Sequence, residues 1–405
     1  MTKNCSSRRV SRRLAAVQGS ATLAADARAK AMLAQGRPVI SFGVGQPNFP
    51  TPDFVVRAAQ EAAADPRNHG YSAGPGLPEL RTAIAAKTKR DSGVVIDPEN
   101  IVVTNGAKQA NFEAWAAVLD PGDEVILPAP YWTTYPETIK FYGGLPVEVF
   151  AGPENGYKIT VEQLEAVTTP RTRALLLCTP NNPTGAVYSA AELREIGAWA
   201  LRHDVWLVID EIYEYLVYGD TTMAYMLAEV PEMQERTLII SGVSKSYAMT
   251  GWRLGWLYGP AEAMQAVRNY HSHLTGNVAN VVQRAAIAAL EGPRDEIENM
   301  RQAFDRRRLR LVELLRQIEG FEVIEPQGAF YVFVGVQAWI GRQLRGVTIT
   351  SSQVLADLLL EHAEVALVPG EAFGAPGYLR FSYSLSDADL EEGCARITKL
   401  LRTAF

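Results

Sequence analysis

The segment RALLLCTPNNPTGAVYSAAELREIGAWALRHDVWLVIDE, residues 173–211, runs apolar, then helical, then apolar again. Ala174 to Cys178 and Val205 to Ile209 carry no charged or hydroxyl side chain and are too short for helices, which predicts strands buried on both faces. Between them Ser189 stands where a helix N-cap belongs, and Leu193, Ile196 and Trp199 follow at a helical spacing. Such strands joined by a helix predict a parallel sheet covered by helices. Ligands of such sheets lie outside the carboxyl ends of the strands. Here those ends are Pro180-Asn181-Asn182 and Asp210-Glu211.

The alternation extends over residues 95–260. NIVVTNG (100–106) precedes the helical AKQANFEAWAAVL, and PGDEVILPAP (121–130), TLIISGVSK (237–245) and RLGWLYGP (253–260) read as further strands. Their polar ends, Thr104-Asn105-Gly106 and Ser244-Lys245 among them, are expected to converge. Beyond about residue 290 the texture changes. DEIENMRQAFDRRRLRLVELLRQI (295–318) is one long amphipathic helix, followed by the short strands FEVI, AFYVFV, EVALVPG and YLRFSYS and a final helix. The expected division is an N-terminal arm and part of a small domain over 1–50, a large domain over 51–292, and a small α+β domain over 293–405.

The 405-residue chain has a formal charge of −6 and no basic stripe suited to nucleic acid. Cys5, Cys178 and Cys394 are odd in number and far apart, against a disulfide framework or a zinc site and in keeping with a reducing cytoplasm. The histidines, His271 and His273 included, show no metal-ligand spacing. No apolar run approaches the roughly 20 residues that span a bilayer. The start, MTKNCSSRRVSRRLAAV, is basic, with no acid before Asp26, and reads as a frayed or partner-contacting arm rather than a transit peptide.

In GVSKSYAMTGWRLGW, residues 242–256, Lys245 sits at a strand end among small and hydroxyl residues. In a closed apolar site its charged form loses solvation, its pKa falls, and the neutral amine can form a Schiff base with an aldehyde. The aldehyde cofactor that uses this is pyridoxal 5'-phosphate, which needs a lysine, an acid at its ring nitrogen and a phosphate cup. Asp210 is the candidate acid. Gly106, Ala107 and Lys108, at a strand–helix turn, are candidates for the cup, and Arg253 adds a fixed positive fork. Taken one at a time, these are a loop lysine, a turn-capping aspartate and an ordinary turn glycine.

Taken together they resemble the class I pyridoxal-phosphate aminotransferases of fold type I, over nearly the whole chain from about Ser11. The most specific signature is Gly242-Val243-Ser244-Lys245 with Ala248, Gly251, Arg253, Leu254 and Gly255; PNNPTGAVY (180–188), DEIY (210–213) and YSAGPGLPELR (71–81) stand in the expected order. TNGAKQANF, PYWTTYP and VPGEAFG with YLRFSYS are similar to the subgroup of bacterial aspartate aminotransferases. The resemblance implies an α/β fold: a large domain with a mostly parallel, seven-stranded sheet sandwiched by helices, a smaller α+β domain, and a homodimer with active sites at the subunit interface. It implies that Lys245 tethers the cofactor and moves the proton, that Asp210 pairs with the ring nitrogen, that Tyr213 and Asn182 bond the phenolic oxygen, and that Trp132 stacks on the ring. Gly106, Ala107, Lys108 and Arg253 would hold the phosphate, with Tyr71 reaching that of the neighbouring subunit. Arg380 would grip the substrate α-carboxylate, helped by the backbone of Gly45. Many members have a serine three residues before the lysine; here it is Gly242, so Ser241 or Ser244 takes over that phosphate contact or it is absent.

The implied reaction is ping-pong amino transfer between an L-amino acid and a 2-oxo acid. In the resembling subgroup the loop lysine meets the distal carboxylate of the substrate. Lys108 holds that place, with Thr22 as a helper, which favours aspartate or glutamate with oxaloacetate or 2-oxoglutarate. Aromatic amino acids are the alternative, through Trp132, Tyr135 and Tyr247. Gln18 stands where relatives that use prephenate carry a basic residue, which weakens that substrate. Carbon–sulfur lyases share the fold and are not excluded by it.

Overall fold

The computed structural model describes residues 10–404; Cys5 and the first part of the basic arm lie outside them. The large sheet consists of β1 (Ile101–Thr104), β2 (Glu124–Ala129), β3 (Leu145–Phe150), β4 (Thr172–Cys178), β5 (Trp206–Asp210), β6 (Thr237–Gly242) and β7 (Gly255–Tyr258). From edge to edge the order is β1-β7-β6-β5-β4-β2-β3. Every pairing is parallel except those of β7, which runs antiparallel to β1 and β6. Residues 253–260, read from the sequence as a further strand of a mostly parallel sheet, form its antiparallel member. Only residues 243–254 separate β6 from β7, and they form the Lys245 loop with a single 3-10 turn at Thr250–Trp252. Without a crossover helix the chain comes straight back, which makes the pair antiparallel.

Alternate residues of the strands face opposite sides, and both sides are covered. Val103, Ile126, Leu175, Leu177, Leu207, Ile209 and Ile239 pack with helices Asp53–Ala64, Pro78–Ser92, Ala190–His203 and Asn280–Glu291. Val102, Val125, Leu127, Leu176, Val208, Leu238 and Leu257 pack on the other side with Ala107–Val118, Tyr135–Phe141 and Ala261–Leu274. This is why the strands read as apolar throughout. Ser189 caps its helix as its sequence suggests: its hydroxyl accepts from Glu192 N–H, and the Glu192 carboxylate accepts from Ser189 N–H at 2.7 Å.

The charged stretch after residue 294 is the helix Asp295–Arg316. It buries Ile297, Met300, Phe304, Leu311 and Leu315 and turns most of its charges outward. It lies against a small antiparallel sheet ordered Val368–Pro369, Tyr378–Ser382, Tyr331–Gly335, Glu322–Val323. Ile40–Ser41 pairs in parallel with Val365–Ala366, so the segment that enters the large sheet is anchored on the C-terminal part of the chain.

Candidate active site

A cavity of about 490 Å³ opens at the carboxyl ends of the large sheet's parallel strands. Its wall includes Ala107 and Lys108 after β1, Trp132 after β2, Asn182 after β4, Asp210 and Tyr213 at β5, and Ser244, Lys245 and Arg253 in the loop after β6. The small sheet and the N-terminal segment close it with Tyr331, Arg380, Gly45 and Thr22. The polar strand ends therefore meet, as doubly wound sheets require.

The Lys245 amine donates to the carbonyl of Gly45. Burial, then the charges of Arg380 and Arg253, bring its pKa from 10.5 down to about 7, against the pull of Asp210. Asp210 is buried at the end of β5, on the face that carries Val208. Burial lifts its carboxyl to about 6, although Ile212 N–H at 3.1 Å, the Tyr135 hydroxyl at 2.9 Å and the charge of Lys245 all favour the ionised form. The site thus holds an amine poised near neutrality and an acid that gains from a cationic partner.

The turn after β1 makes a cradle. Gly106 has φ 81°, which a side chain rarely adopts, and a Cβ there would lie 2.3 Å from Arg253 Nη2. Gly255 is required for the same packing, since its Cβ would lie 2.5 Å from Ala107 N. Arg253 is pinned by bonds from Nη1 to Thr250 O at 2.9 Å and from Nη2 to Asn105 O at 3.4 Å. Lys108 stands 5.1 Å from the Trp132 ring, and burial, then the charge of Arg253, lower its pKa. Two cations at the start of the helix Ala107–Val118 suit a phosphate. Lysine, acid and cradle together fit pyridoxal phosphate.

Alternation along Tyr378–Ser382 leaves open whether Arg380 faces water, and the structure puts it 2% exposed. It pairs across strands with Phe333 and Val368. Its Nη1 donates to Asn182 Oδ1 and its Nη2 to Gly43 O, both at 2.9 Å, while Nε is buried with no hydrogen-bond partner among the described residues. The guanidinium lies 4.4 Å from the Tyr331 ring and 5.1 Å from that of Phe373. Tyr213 and Tyr331 share a hydroxyl–hydroxyl bond of 3.1 Å at the same wall.

Other expected residues lie elsewhere. Tyr71 is 99% exposed and absent from the wall of its own chain's cavity. Gly106 does not line the cavity, although Ala107 and Lys108 do. Ser241 points away, donating to Glu214 Oε1 at 3.1 Å, so of the two serines only Ser244 reaches the cavity. Tyr247 is corrected as a pocket residue: it packs on Tyr215, and its hydroxyl donates to that of Tyr215 at 3.3 Å. Gln18 is off the wall too, with its N–H on Glu137 at 2.8 Å. His271 is a packing histidine, buried against Glu113. Sequence reasoning missed Tyr135 as the partner of Asp210, and Tyr331. For Tyr331 a signal existed: alternation in AFYVFV puts residues 331 and 333 on the face that carries Arg380 across the strand pair.

A lysine, an acid and a cradle of this kind could hold pyridoxal phosphate, and the chain belongs to the family of class I and II aminotransferases, whose sequence profile matches residues 37–397. That family works with pyridoxal phosphate. An aspartate aminotransferase of Streptomyces avermitilis is 54% identical to this chain, over 98% of it and 97% of the relative. A probable aspartate/prephenate aminotransferase of Aquifex aeolicus is 43% identical over 96% of this chain and 98% of its own. The crystal structure of the aspartate aminotransferase of Rhizobium meliloti superposes with a TM-score of 0.94 at 40% identity, covering 98% of this chain and 99% of that one.

Proposed function

We propose that this aminotransferase holds pyridoxal phosphate in the cavity and passes the amino group of aspartate or glutamate to 2-oxoglutarate or oxaloacetate. The observation that carries the reading is the convergence of Lys245, Asp210 and the buried fork of Arg380 on one cavity. When bound, the cofactor supplies an aldehyde for the amine and a ring that stabilises negative charge at the substrate Cα.

Lys245 would tether the cofactor through its amine and, once free, would serve as the general acid/base that accepts and releases a proton at Nζ. In the cofactor-free chain burial brings its pKa down to about 7, which favours the neutral amine that meets an aldehyde. Asp210, held by Tyr135 and Ile212 N–H, keeps the ring nitrogen protonated. Tyr213 and Asn182, both on the cavity wall, would bond the phenolic oxygen, and Trp132 would cover the ring. Ser244, Gly106, Ala107, Lys108 and Arg253 hold the phosphate. Arg380 receives the α-carboxylate, with the Gly45 backbone beside it. Lys108 and Thr22 receive the distal carboxylate, which favours dicarboxylic over aromatic substrates. The exposed Tyr71 completes the phosphate site of a second copy, making the working unit a homodimer.

The proposed division of the chain is 1–50, 51–292 and 293–405, with the last part carrying Arg380. No helix among the described residues is long and apolar enough to cross a membrane, and the proposed location is the cytoplasm. Incubation with aspartate and 2-oxoglutarate tests the reaction: oxaloacetate and glutamate should form in equal amounts. Release of ammonia without glutamate would make the protein a lyase.

A further inference from the structure

A buried carboxylate–imidazole pair lies behind the cradle and outside the cavity. Glu113 and His271 are 0% and 1% exposed, with Glu113 Oε1 2.7 Å from His271 Nδ1. Glu113 Oε2 and His271 Nε2 have no hydrogen-bond partner among the described residues. A buried pair left half satisfied is costly and adds nothing to a core that apolar residues could fill. Its remaining contact shows what it holds. Gln109 Nε2 donates to Glu113 Oε1 at 2.8 Å and to Thr275 Oγ1 at 2.6 Å.

Only an amide nitrogen can face that carboxylate, so the orientation of the Gln109 side chain is settled from behind. Its oxygen must then face Asn105, where it accepts from both the backbone N–H and the side-chain Nδ2, each at 2.9 Å. The carbonyl of Asn105 in turn accepts from Arg253 Nη2. Asn105 immediately precedes Gly106, whose conformation leaves room for that same guanidinium. A continuous polar chain therefore runs from the helix Ala261–Leu274, through the helix Ala107–Val118, to both halves of the cradle.

We propose that Gln109, oriented by the Glu113–His271 pair, is a positioning residue that presets the cradle and so sets its affinity for the phosphate group of the cofactor. The inference rests on the cofactor reading above. A bland role for Gln109, as a cap that merely stabilises the turn, predicts a general weakening of the site. Preorganisation of the cradle predicts a loss confined to the phosphate.

Two aldehydes separate these. Cofactor-free wild type, Gln109→Met and Glu113→Gln are titrated with pyridoxal phosphate and with pyridoxal, and uptake is read from absorbance. Gln109→Met should bind pyridoxal phosphate about tenfold more weakly, as expected for one lost hydrogen bond to a charged network, and pyridoxal as wild type does. Glu113→Gln should show a smaller loss with the same selectivity. An unchanged affinity of Gln109→Met for pyridoxal phosphate, or an equal loss for both aldehydes, overturns the inference. If Gln109→Met does not fold, Glu113→Gln, of nearly equal volume, decides alone, and an unchanged affinity there overturns it. A wild type that takes up neither aldehyde is a different result: the cofactor reading itself fails, and the inference with it.

Discussion

Replacing Arg380 with lysine keeps a positive charge in the cavity wall and removes the planar fork. In the folded chain that fork is held by Asn182 Oδ1 and Gly43 O at 2.9 Å each, and by the rings of Tyr331 and Phe373. A flexible ammonium has three donors but no planar pair of parallel N–H groups, so it cannot reproduce a two-pronged pair in that frame. A hydrogen bond to a charged group contributes about 1.5–3 kcal/mol, so the loss of one prong with its alignment lowers kcat/KM for aspartate by roughly 10- to 100-fold. The α-carboxylate is held before and during the reaction, so the change should fall more on KM than on kcat. The assay is the initial rate of Arg380→Lys and wild type with aspartate and 2-oxoglutarate, beside the slow half-reaction of an amine that lacks a carboxylate. The ratio of variant to wild type should stay near one for that amine. Equal losses on both, or none on aspartate, would refute the assignment of Arg380 to the α-carboxylate.

Three further outcomes follow from the same geometry. Lys108→Ala should lower kcat/KM for aspartate about tenfold more than for phenylalanine, measured as steady-state rates on both; equal losses would remove the distal-carboxylate role. Gly106→Ala places a methyl 2.3 Å from Arg253 Nη2 at φ 81°, so cofactor affinity measured by titration should fall at least tenfold while the fold persists. The third concerns pH. In the cofactor-free chain Lys245 titrates near 7, against 10.5 when unfolded, so the unfolded state binds the extra proton between those values. The residue therefore destabilises the fold fully below about pH 7, and the penalty fades as pH rises toward 10.5. Lys245→Met should raise the Tm of the cofactor-free protein at pH 6 and leave it nearly unchanged above pH 10.

Much of this was legible in the chain because burial on both faces of a sheet leaves an unmistakable pattern. Leu175 to Cys178 and Leu207 to Ile209 have apolar neighbours on either side, so no polar residue interrupts them, and the first polar residues mark the strand ends. Lys245, Asp210, Asn182 and Lys108 sit at such ends, and their meeting in one cavity follows from the winding. What local pattern cannot carry is direction and distance. The antiparallel course of β7 depends on how the loop after β6 closes, not on the composition of the strand itself. Tyr247 lies two residues from Lys245, yet its side chain leaves for the other side of the loop. Tyr135 meets Asp210 across 75 residues, and nothing beside either residue announces the other. The Glu113–His271 pair is likewise visible only once two helices lie side by side.

The most direct measurement fixes the cofactor in place. Protein loaded with pyridoxal phosphate is reduced with borohydride, digested, and its peptides weighed; the spectrum is recorded before reduction and after adding aspartate. The label should be found on the peptide containing Lys245 and nowhere else, it should vanish in Lys245→Ala, and the yellow band of the wild type should shift with aspartate. A label on Lys108 or another lysine, or a peptide label that persists in Lys245→Ala, would contradict the assignment at its root.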